Sequence, residues 1–243
     1  MENKKYKLTG ESIAVEGKTL YRIEALKDFC EIKKGDKGGF IESENNLAHE
    51  GNAWVSDDAC VYDNARVYDN AWVSDTSLVW GNARVYNNAR VCGNASVYGN
   101  ACVFGYALVY DNARVCGNAS VYGNACVFVY ACVYDNAWVS GNGQVCGNAR
   151  VYGDALVRGD ACVCGDAEIS TDADYIVFKN WWSSGRYFTW TRSNNMWSVG
   201  CFYGTGDELV KKAYKDSSKS GRQYERIVKY VEETLKEEEN GEH

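Results

Sequence analysis

The sequence predicts a mainly β protein: a parallel β-helix that carries a small N-terminal cap and a C-terminal α+β module. Three observations lead to this prediction. A six-residue unit runs from Gly51 to Ser170 without insertion or deletion. Valine occupies every sixth position from Val55 to Val163, and alanine nearly always lies two residues before it. The composition changes abruptly from Asp172.

Each unit is predicted to be a short strand followed by a corner. In Ala-x-Val-x the Ala and Val share one face of an extended backbone, while the x residues point the opposite way. The next two positions are mostly Gly-Asn, Asp-Asn or Gly-Asp, which tolerate left-handed or side-chain-bonded turns. Such a strand cannot bury its apolar face alone, but the stacked coils of a solenoid enclose it.

The repeat resembles that of the hexapeptide-repeat proteins, most clearly in residues 93–98 and 123–128. This resemblance implies a left-handed β-helix with three units per coil. Residues 51–170 would then form the β-helix domain with six to seven coils.

Residues 1–50 are predicted to form a β cap, because a bare terminal coil exposes unpaired backbone and an apolar cross-section. The segments 12–15 and 19–23 flank Glu16-Gly17-Lys18, a pattern typical of a hairpin. A short helical turn is expected at 25–29. The opening is similar to that of the YdcK-like hexapeptide proteins of bacteria and phages. The matching positions are Arg22, Ala25, Asp28, Phe29, Gly35, Gly38, Gly39, Phe40, Leu47 and 51–55.

Residues 171–243 are predicted to form a module of three strands, at 175–178, 186–191 and 196–202, and two helices. Asp207 is expected to cap the first helix, and the second is expected to run from about Arg222 to Glu239. The module resembles a tail of phage and prophage proteins, on residues 200–205 and 207–209. The resemblance implies a phage or mobile element of a Gram-positive host, and it brings no activity with it.

The net charge and the cysteines limit the partners and the location that can be expected. The net charge is −7, and the solenoid carries no lysine, which argues against duplex nucleic acid as a partner. No apolar run follows the start, so no membrane span is expected and the host cytoplasm is the predicted location.

The 11 cysteines are odd in number, which favours reduced thiols. Cys146, Cys162 and Cys164 should cluster on adjacent coils. We interpret them as packing residues, because a metal site lacks a recognisable fourth ligand. No cofactor is predicted.

Outward aromatic side chains recur at a spacing of 18 residues and form columns along the solenoid. A homo-oligomer such as a trimer is expected to use one of these columns as its interface. The alternative is that the rings only stack on one another along the ladder. The predicted interface column consists of Tyr62, Trp80, Tyr98, Tyr134 and Tyr152.

Aromatic and cationic side chains concentrate in the C-terminal module. Rings beside guanidinium groups suit a nucleobase with its phosphate, or a protein hot spot. The alternative is that about half of these rings form the core of the module. The predicted partner-binding residues are Trp181, Trp182, Arg186, Tyr187, Trp190, Arg192 and Trp197.

These features favour a non-catalytic phage accessory protein that acts in counter-defence by sequestering a host protein or a small signalling nucleotide. One alternative is a hexapeptide-type acyltransferase, whose chemistry usually needs a histidine base. The chain has only His49 and His243, and His49 is expected to be a cap residue. A purely structural oligomeric spacer is the third possibility.

Overall fold

The computed structural model describes residues 4–239 and Gly241. The chain forms two compact units that divide between Asp172 and Ala173. Neither helix in the described part of the chain has the length and apolar character needed to cross a membrane.

The first unit opens with the predicted hairpin. Strands β1 (Tyr6–Val15) and β2 (Lys18–Ala25) pair antiparallel. Glu16 and Gly17, at φ of 51° and 80°, form the turn between them; two positive φ values match the right-handed twist of the strands. Strand β3 (Lys37–Ile41) pairs antiparallel with β2, and a 3₁₀ turn follows at Glu44–Asn46.

The helical turn expected at 25–29 was wrong. Ala25 ends β2, and Phe29 forms a β-bridge with Ile32. The Leu26 amide donates to the Lys5 carbonyl at 2.9 Å, so strand pairing continues where the helix was expected.

Twenty two-residue strands, β4 to β23, make three parallel faces of the solenoid. The first face has Trp54–Val55, Trp72–Val73, Arg90–Val91, Leu108–Val109, Cys126–Val127, Gln144–Val145 and Cys162–Val163. The second face continues from β3 and has Cys60–Val61, Leu78–Val79, Ser96–Val97, Arg114–Val115, Cys132–Val133, Arg150–Val151 and Glu168–Ile169. The third face has Arg66–Val67, Arg84–Val85, Cys102–Val103, Ser120–Val121, Trp138–Val139 and Leu156–Val157.

The register of these strands confirms three units per coil. Each strand pairs with the strand 18 residues away, as Val91 does with Val73 and Val109. The repeating Val and Ala side chains are fully buried along the interior. The corners use the left-handed backbone that the Gly, Asp and Asn pattern predicted. The fold class is thus confirmed as a parallel β-solenoid, while its left-handed winding stays a prediction.

Irregular residues at the corners do not disturb the ladder. Thr76, Tyr106 and Tyr130 replace the usual Asn, and a bulge was one expectation there. Their amides instead donate to the next coil at 3.1, 2.7 and 2.9 Å, as the regular corners do. Val129 takes a left-handed φ of 65° to keep this path.

The second unit is an antiparallel sheet with two helices. The strands β24 (Tyr175–Lys179), β25 (Tyr187–Thr191), β26 (Met196–Val199) and β27 (Phe202–Gly204) pair in chain order. The helices are α1 (Gly206–Asp216) and α2 (Ser218–Glu239). A 3₁₀ turn at Asp172–Asp174 precedes the sheet.

Two details of this unit correct the prediction. Four strands form instead of three, because Gly200 at φ 58° turns the chain and splits the third predicted strand. The N-cap of α1 is Thr205 and not Asp207. The Thr205 hydroxyl accepts from the Glu208 amide, and the Glu208 carboxylate accepts from the Thr205 amide.

Candidate functional site

Three of the predicted binding residues are core residues. Trp182, Trp190 and Trp197 expose only 7%, 1% and 2% of their surface. Trp190 pairs with Trp197 across β25 and β26, and the helices supply further members of the same buried cluster, among them Leu209 and Tyr224. Almost the whole surface of each of these three rings is therefore inaccessible to a partner. The sequence could not decide this, because burial depends on helices that follow later in the chain.

The remaining predicted residues lie at the surface. Trp181 is 76% exposed and meets Trp182 edge-on, with ring centroids 6.1 Å apart. Tyr187 is 40% exposed, and Lys179 Nζ lies 5.1 Å from its ring centroid. Arg192 forms a 2.8 Å ion pair with Glu238. Their roles in partner binding stay predictions.

Arg186 lines a cleft of about 380 Å³ in the second unit. The loop between β24 and β25, helix α1 and the start of α2 all contribute to its lining. The side chains that line it include those of Asn180, Arg186, Phe202, Lys212, Asp216 and Tyr224.

Asn180 holds the loop wall in place. Its amide donates to the Arg186 carbonyl and its carbonyl accepts from the Gly185 amide, both at 2.7 Å. Its side-chain oxygen accepts from the Ser183 amide at 3.0 Å, and its side-chain nitrogen donates to the Tyr224 hydroxyl at 3.0 Å. Asn180 is 4% exposed. One buried amide therefore ties the loop to α2 and sets the place of Arg186.

The cleft has two cationic groups, Arg186 and Lys212, and one carboxylate, Asp216. A Cβ placed on Gly200 would lie 3.3 Å from Arg186 Nη1, so the guanidinium rests against the β26–β27 turn. Lys212 Nζ lies 5.6 Å from the Phe202 ring centroid. Within residues 4–239, Arg186 forms no ion pair with an acidic side chain. The guanidinium is thus available to an anion.

Three residues of the cleft, Asn180, Lys212 and Tyr224, were not predicted from the sequence. Lys212 and Tyr224 are far from Arg186 along the chain and belong to the helices. Asn180 precedes Arg186 in the same loop, but its bond to Tyr224 depends on the packing of α2. Tyr224 lies in α2, where burial raises the pKa of its hydroxyl. To identify these residues from the sequence, one would have to predict that the α1–α2 junction packs beside the loop between β24 and β25.

The predicted interface column is partly occupied by the chain itself. Tyr62 is 1% exposed and packs with Leu20 and Phe40 of the N-terminal sheet, so it is a core residue and not an interface residue. Trp80 stacks on Tyr62 and on Tyr98, with centroids 5.9 and 4.3 Å apart. Tyr134 and Tyr152 stack at 5.3 Å. Stacking along the ladder is therefore present, and the oligomer stays a prediction.

Comparison with known families adds one match. Residues 59–75 and 143–159 match the family model described as the YdcK beta solenoid repeat. The solenoid is similar to YdcK repeats. Both matched segments lie within β4–β23, so the similarity concerns the repeat and does not extend to the second unit. No curated protein matches the chain.

His49 lies beside the first coil of the YdcK-like solenoid. Its Nδ1 accepts from the Lys5 amide at 3.3 Å, and its ring stacks on Tyr6 at 4.3 Å. Its Nε2 lies 3.5 Å from Glu44 Oε2. These contacts fix the ring in the N-terminal sheet. His243 lies outside the described residues.

One cysteine expectation was wrong. Cys146 and Cys164 form a disulfide, whereas reduced thiols were predicted. The parallel register of the YdcK-like solenoid places them on adjacent coils with Cα atoms 4.6 Å apart. Cys162 Sγ lies 3.4 Å from Cys164 Sγ, so the predicted cluster of three is confirmed.

Proposed function

We propose that this chain is a non-catalytic binding protein that captures a small phosphate-bearing ligand of the nucleotide class in the cleft of its second unit. The observation that carries the proposal is the pair of cationic side chains, Arg186 and Lys212, which lines one cleft together with the Phe202 ring. Guanidinium and ammonium groups bind phosphate, and an aromatic face accepts a base.

The size of the cleft supports a small ligand. Its volume of about 380 Å³ lies near the lower end of the ~300–1,000 Å³ that small-molecule sites occupy. A charge-assisted hydrogen bond from Arg186 to a phosphate is worth about 1.5–3 kcal/mol. Arg186 and Lys212 together therefore supply enough affinity to distinguish a phosphorylated ligand from its neutral counterpart.

The chemistry of the lining supports binding without turnover. Its ionisable groups are Arg186, Lys212, Asp216 and Tyr224. Arginine does not deprotonate in proteins, and the raised pKa of Tyr224 keeps its hydroxyl protonated at neutral pH. Neither histidine nor cysteine lines this cleft. The histidine base that acyltransferase chemistry usually needs is thus absent from this lining.

The biological role that we propose is counter-defence. The C-terminal unit resembles tails of phage proteins, and a phage gains when a host signalling nucleotide is removed from solution. In this proposal the solenoid is the scaffold, and the exposed parts of Trp80, Tyr98, Tyr134 and Tyr152 assemble copies of the chain into an oligomer.

Sequestration of a host protein is the second candidate. Trp181, which is 76% exposed, favours it, because exposed tryptophan is typical of protein hot spots. A partner that binds there would depend on Trp181 and would be indifferent to Arg186.

The test is to express the full chain in a bacterial host, purify it, unfold it, and identify the released small molecules by mass spectrometry. We expect a phosphorylated compound at about one per chain, and its loss from an Arg186→Ala/Lys212→Ala variant. Lys211→Ala is the matched control, because Lys211 neighbours Lys212 in α1 and does not line the cleft. Absence of a phosphorylated compound from the wild-type protein, or equal amounts from the double variant, would refute the proposal.

A further inference from the structure

Three cysteine sulfurs gather at the end of the first face of the solenoid. Cys162 and Cys164 flank Val163 in β22, and both point away from the interior because Val163 points into it. Cys146 follows Val145 in the neighbouring strand β19. All three side chains are half-buried, and their Sγ atoms lie within 4.8 Å of one another.

The backbone ladder fixes this arrangement. Strands β19 and β22 pair in parallel with Val145 opposite Val163, and both valines are fully buried. The Cys146 amide donates to the Val163 carbonyl at 2.9 Å. Because the Cα positions are held in this way, only rotation of the three side chains is needed to move the sulfurs within the cluster.

The spacing of the sulfurs suits a bound metal ion. A Zn–S bond of ~2.3 Å gives sulfur–sulfur distances of about 3.8–4.0 Å in tetrahedral or trigonal geometry. Cys162 Sγ and Cys164 Sγ are already 3.4 Å apart. Once the disulfide is reduced, a small rotation at Cys146 and Cys164 brings the third sulfur into the same range.

The other outward cysteines do not share this arrangement. Among the described residues, these three cysteines are the one group of three or more potential ligand side chains close enough to hold a metal ion. Cys126, on the same face, has Leu108 and Gln144 as its register neighbours. Cys126 therefore offers a matched control, because it is a half-buried cysteine at the repeat position of Cys162 with no cysteine beside it in register.

We propose that the reduced solenoid binds one soft d¹⁰ metal ion of the zinc class through the thiolates of Cys146, Cys162 and Cys164. Thiolate ligands select such ions, and three protein ligands leave one coordination position for water. The Cys146–Cys164 disulfide is the oxidised form, in which two of the three ligands are unavailable. The metal site is thus available only after a reductant has cleaved the Cys146–Cys164 disulfide.

The conversion balances with a phosphine as the reductant. The phosphine supplies two electrons to the S–S bond, and water supplies the oxygen of the phosphine oxide and the two protons of the thiols. Metal binding then releases the thiol protons to solvent.

The test uses the full chain, reduced with a phosphine and titrated with Cd²⁺, whose thiolate charge-transfer absorption reports binding. We expect one Cd²⁺ per chain at this site in the wild-type protein, and ¹¹³Cd NMR should show a shift typical of three sulfur ligands. Cys146→Ser, Cys162→Ser and Cys164→Ser should each raise the dissociation constant at least tenfold, while Cys126→Ser leaves it unchanged. The oxidised protein should not bind Cd²⁺ at this site.

Two results would overturn the inference. The first is tight binding that survives in Cys162→Ser, because the third ligand would then be dispensable. The second is an equal loss in Cys126→Ser, because binding would then be a general property of the outward thiols. Serine is nearly isosteric at these outward positions, so circular dichroism should show an intact solenoid in every variant.

Discussion

Val129→Asp is predicted to stabilise the solenoid. Val129 occupies the first corner position at φ 65°, where the other repeats have Gly, Asp or Asn. For a β-branched residue the left-handed region costs about 1–2 kcal/mol. Asp tolerates this region better because its short polar side chain bonds locally.

The regular corners show what the new carboxylate would contact. Aspartates at the same position accept a hydrogen bond from the amide one coil later, as Asp63 does from Gly81 at 3.1 Å and Asp75 does from Gly93 at 2.7 Å. The equivalent donor for residue 129 is the Gly147 amide, 18 positions on. Such a bond contributes about 0.5–1.5 kcal/mol.

The two contributions add to about 1.5–3.5 kcal/mol, from which the lost apolar contact of the half-buried valine subtracts about 0.5–1 kcal/mol. We therefore expect a gain of about 0.5–3 kcal/mol in the free energy of unfolding. For a unit of this size that is a rise of roughly 1–12 °C in Tm.

Denaturant unfolding of the full chain, followed by circular dichroism, measures the change. Val129→Thr keeps the β-branch and should leave the stability near that of the wild-type protein. Val129→Gly removes the strain, but it adds about 0.5–1 kcal/mol of backbone entropy cost and makes no new hydrogen bond. The order of stability should be Asp, then Gly, then Thr. A Val129→Asp variant less stable than Val129→Thr would refute this account of the corner.

Three further predictions concern stability. Burial lowers the pKa of Lys5 from its usual 10.5 to about 8, so the stability of the wild-type protein rises with pH between 8 and 10.5. The stability advantage of Lys5→Met over wild type should therefore shrink by about 3 kcal/mol from pH 7 to pH 10.5. Parallel denaturant titrations measure this, and a constant difference would contradict the prediction. Thr205→Ala should cost the second unit about 1 kcal/mol in thermal unfolding, because the hydrogen bond to the Glu208 amide is lost; an unchanged transition would contradict the capping role. Gly39→Ala should cost about 1–3 kcal/mol, since its Cβ would lie 2.6 Å from the Ala59 carbonyl oxygen; wild-type stability in urea would show that the backbones separate without cost.

The solenoid could be predicted because each unit encodes its own local structure. Val and Ala, two residues apart, set the buried face, corner residues set the left-handed turns, and a period of 18 sets the register. Each of these properties recurs in every repeat, so all repeats predict the same local structure. The N-terminal hairpin follows the same logic through Glu16-Gly17.

The site could not be predicted in the same way. Burial of Trp190 and Trp197 depends on helices that pack over the sheet, and the presence of Arg186 and Lys212 in one cleft depends on the position of α1. Sequence spacing carries no information on either packing. The N-cap of α1 is different, because Thr205 with glutamate three residues later is a capping-box pattern that is visible in the sequence.

The disulfide was not predicted, for a third reason. The odd number of cysteines and the inferred cytoplasm favoured thiols, although the spacing of Cys146 and Cys164 already placed them on adjacent coils. Proximity set by the ladder outweighed the argument from compartment.

The central claim is that the second unit binds a phosphorylated small molecule without transforming it. The most direct measurement is to add the compound released from the purified protein back to the ligand-free full chain. Its affinity and its chemical identity after incubation are then measured by calorimetry and mass spectrometry. We predict one site per chain, an affinity at least tenfold weaker in Arg186→Ala and unchanged in Lys211→Ala, and full recovery of the intact compound. Conversion of the compound to a product, or equal affinity in Arg186→Ala, would contradict the account.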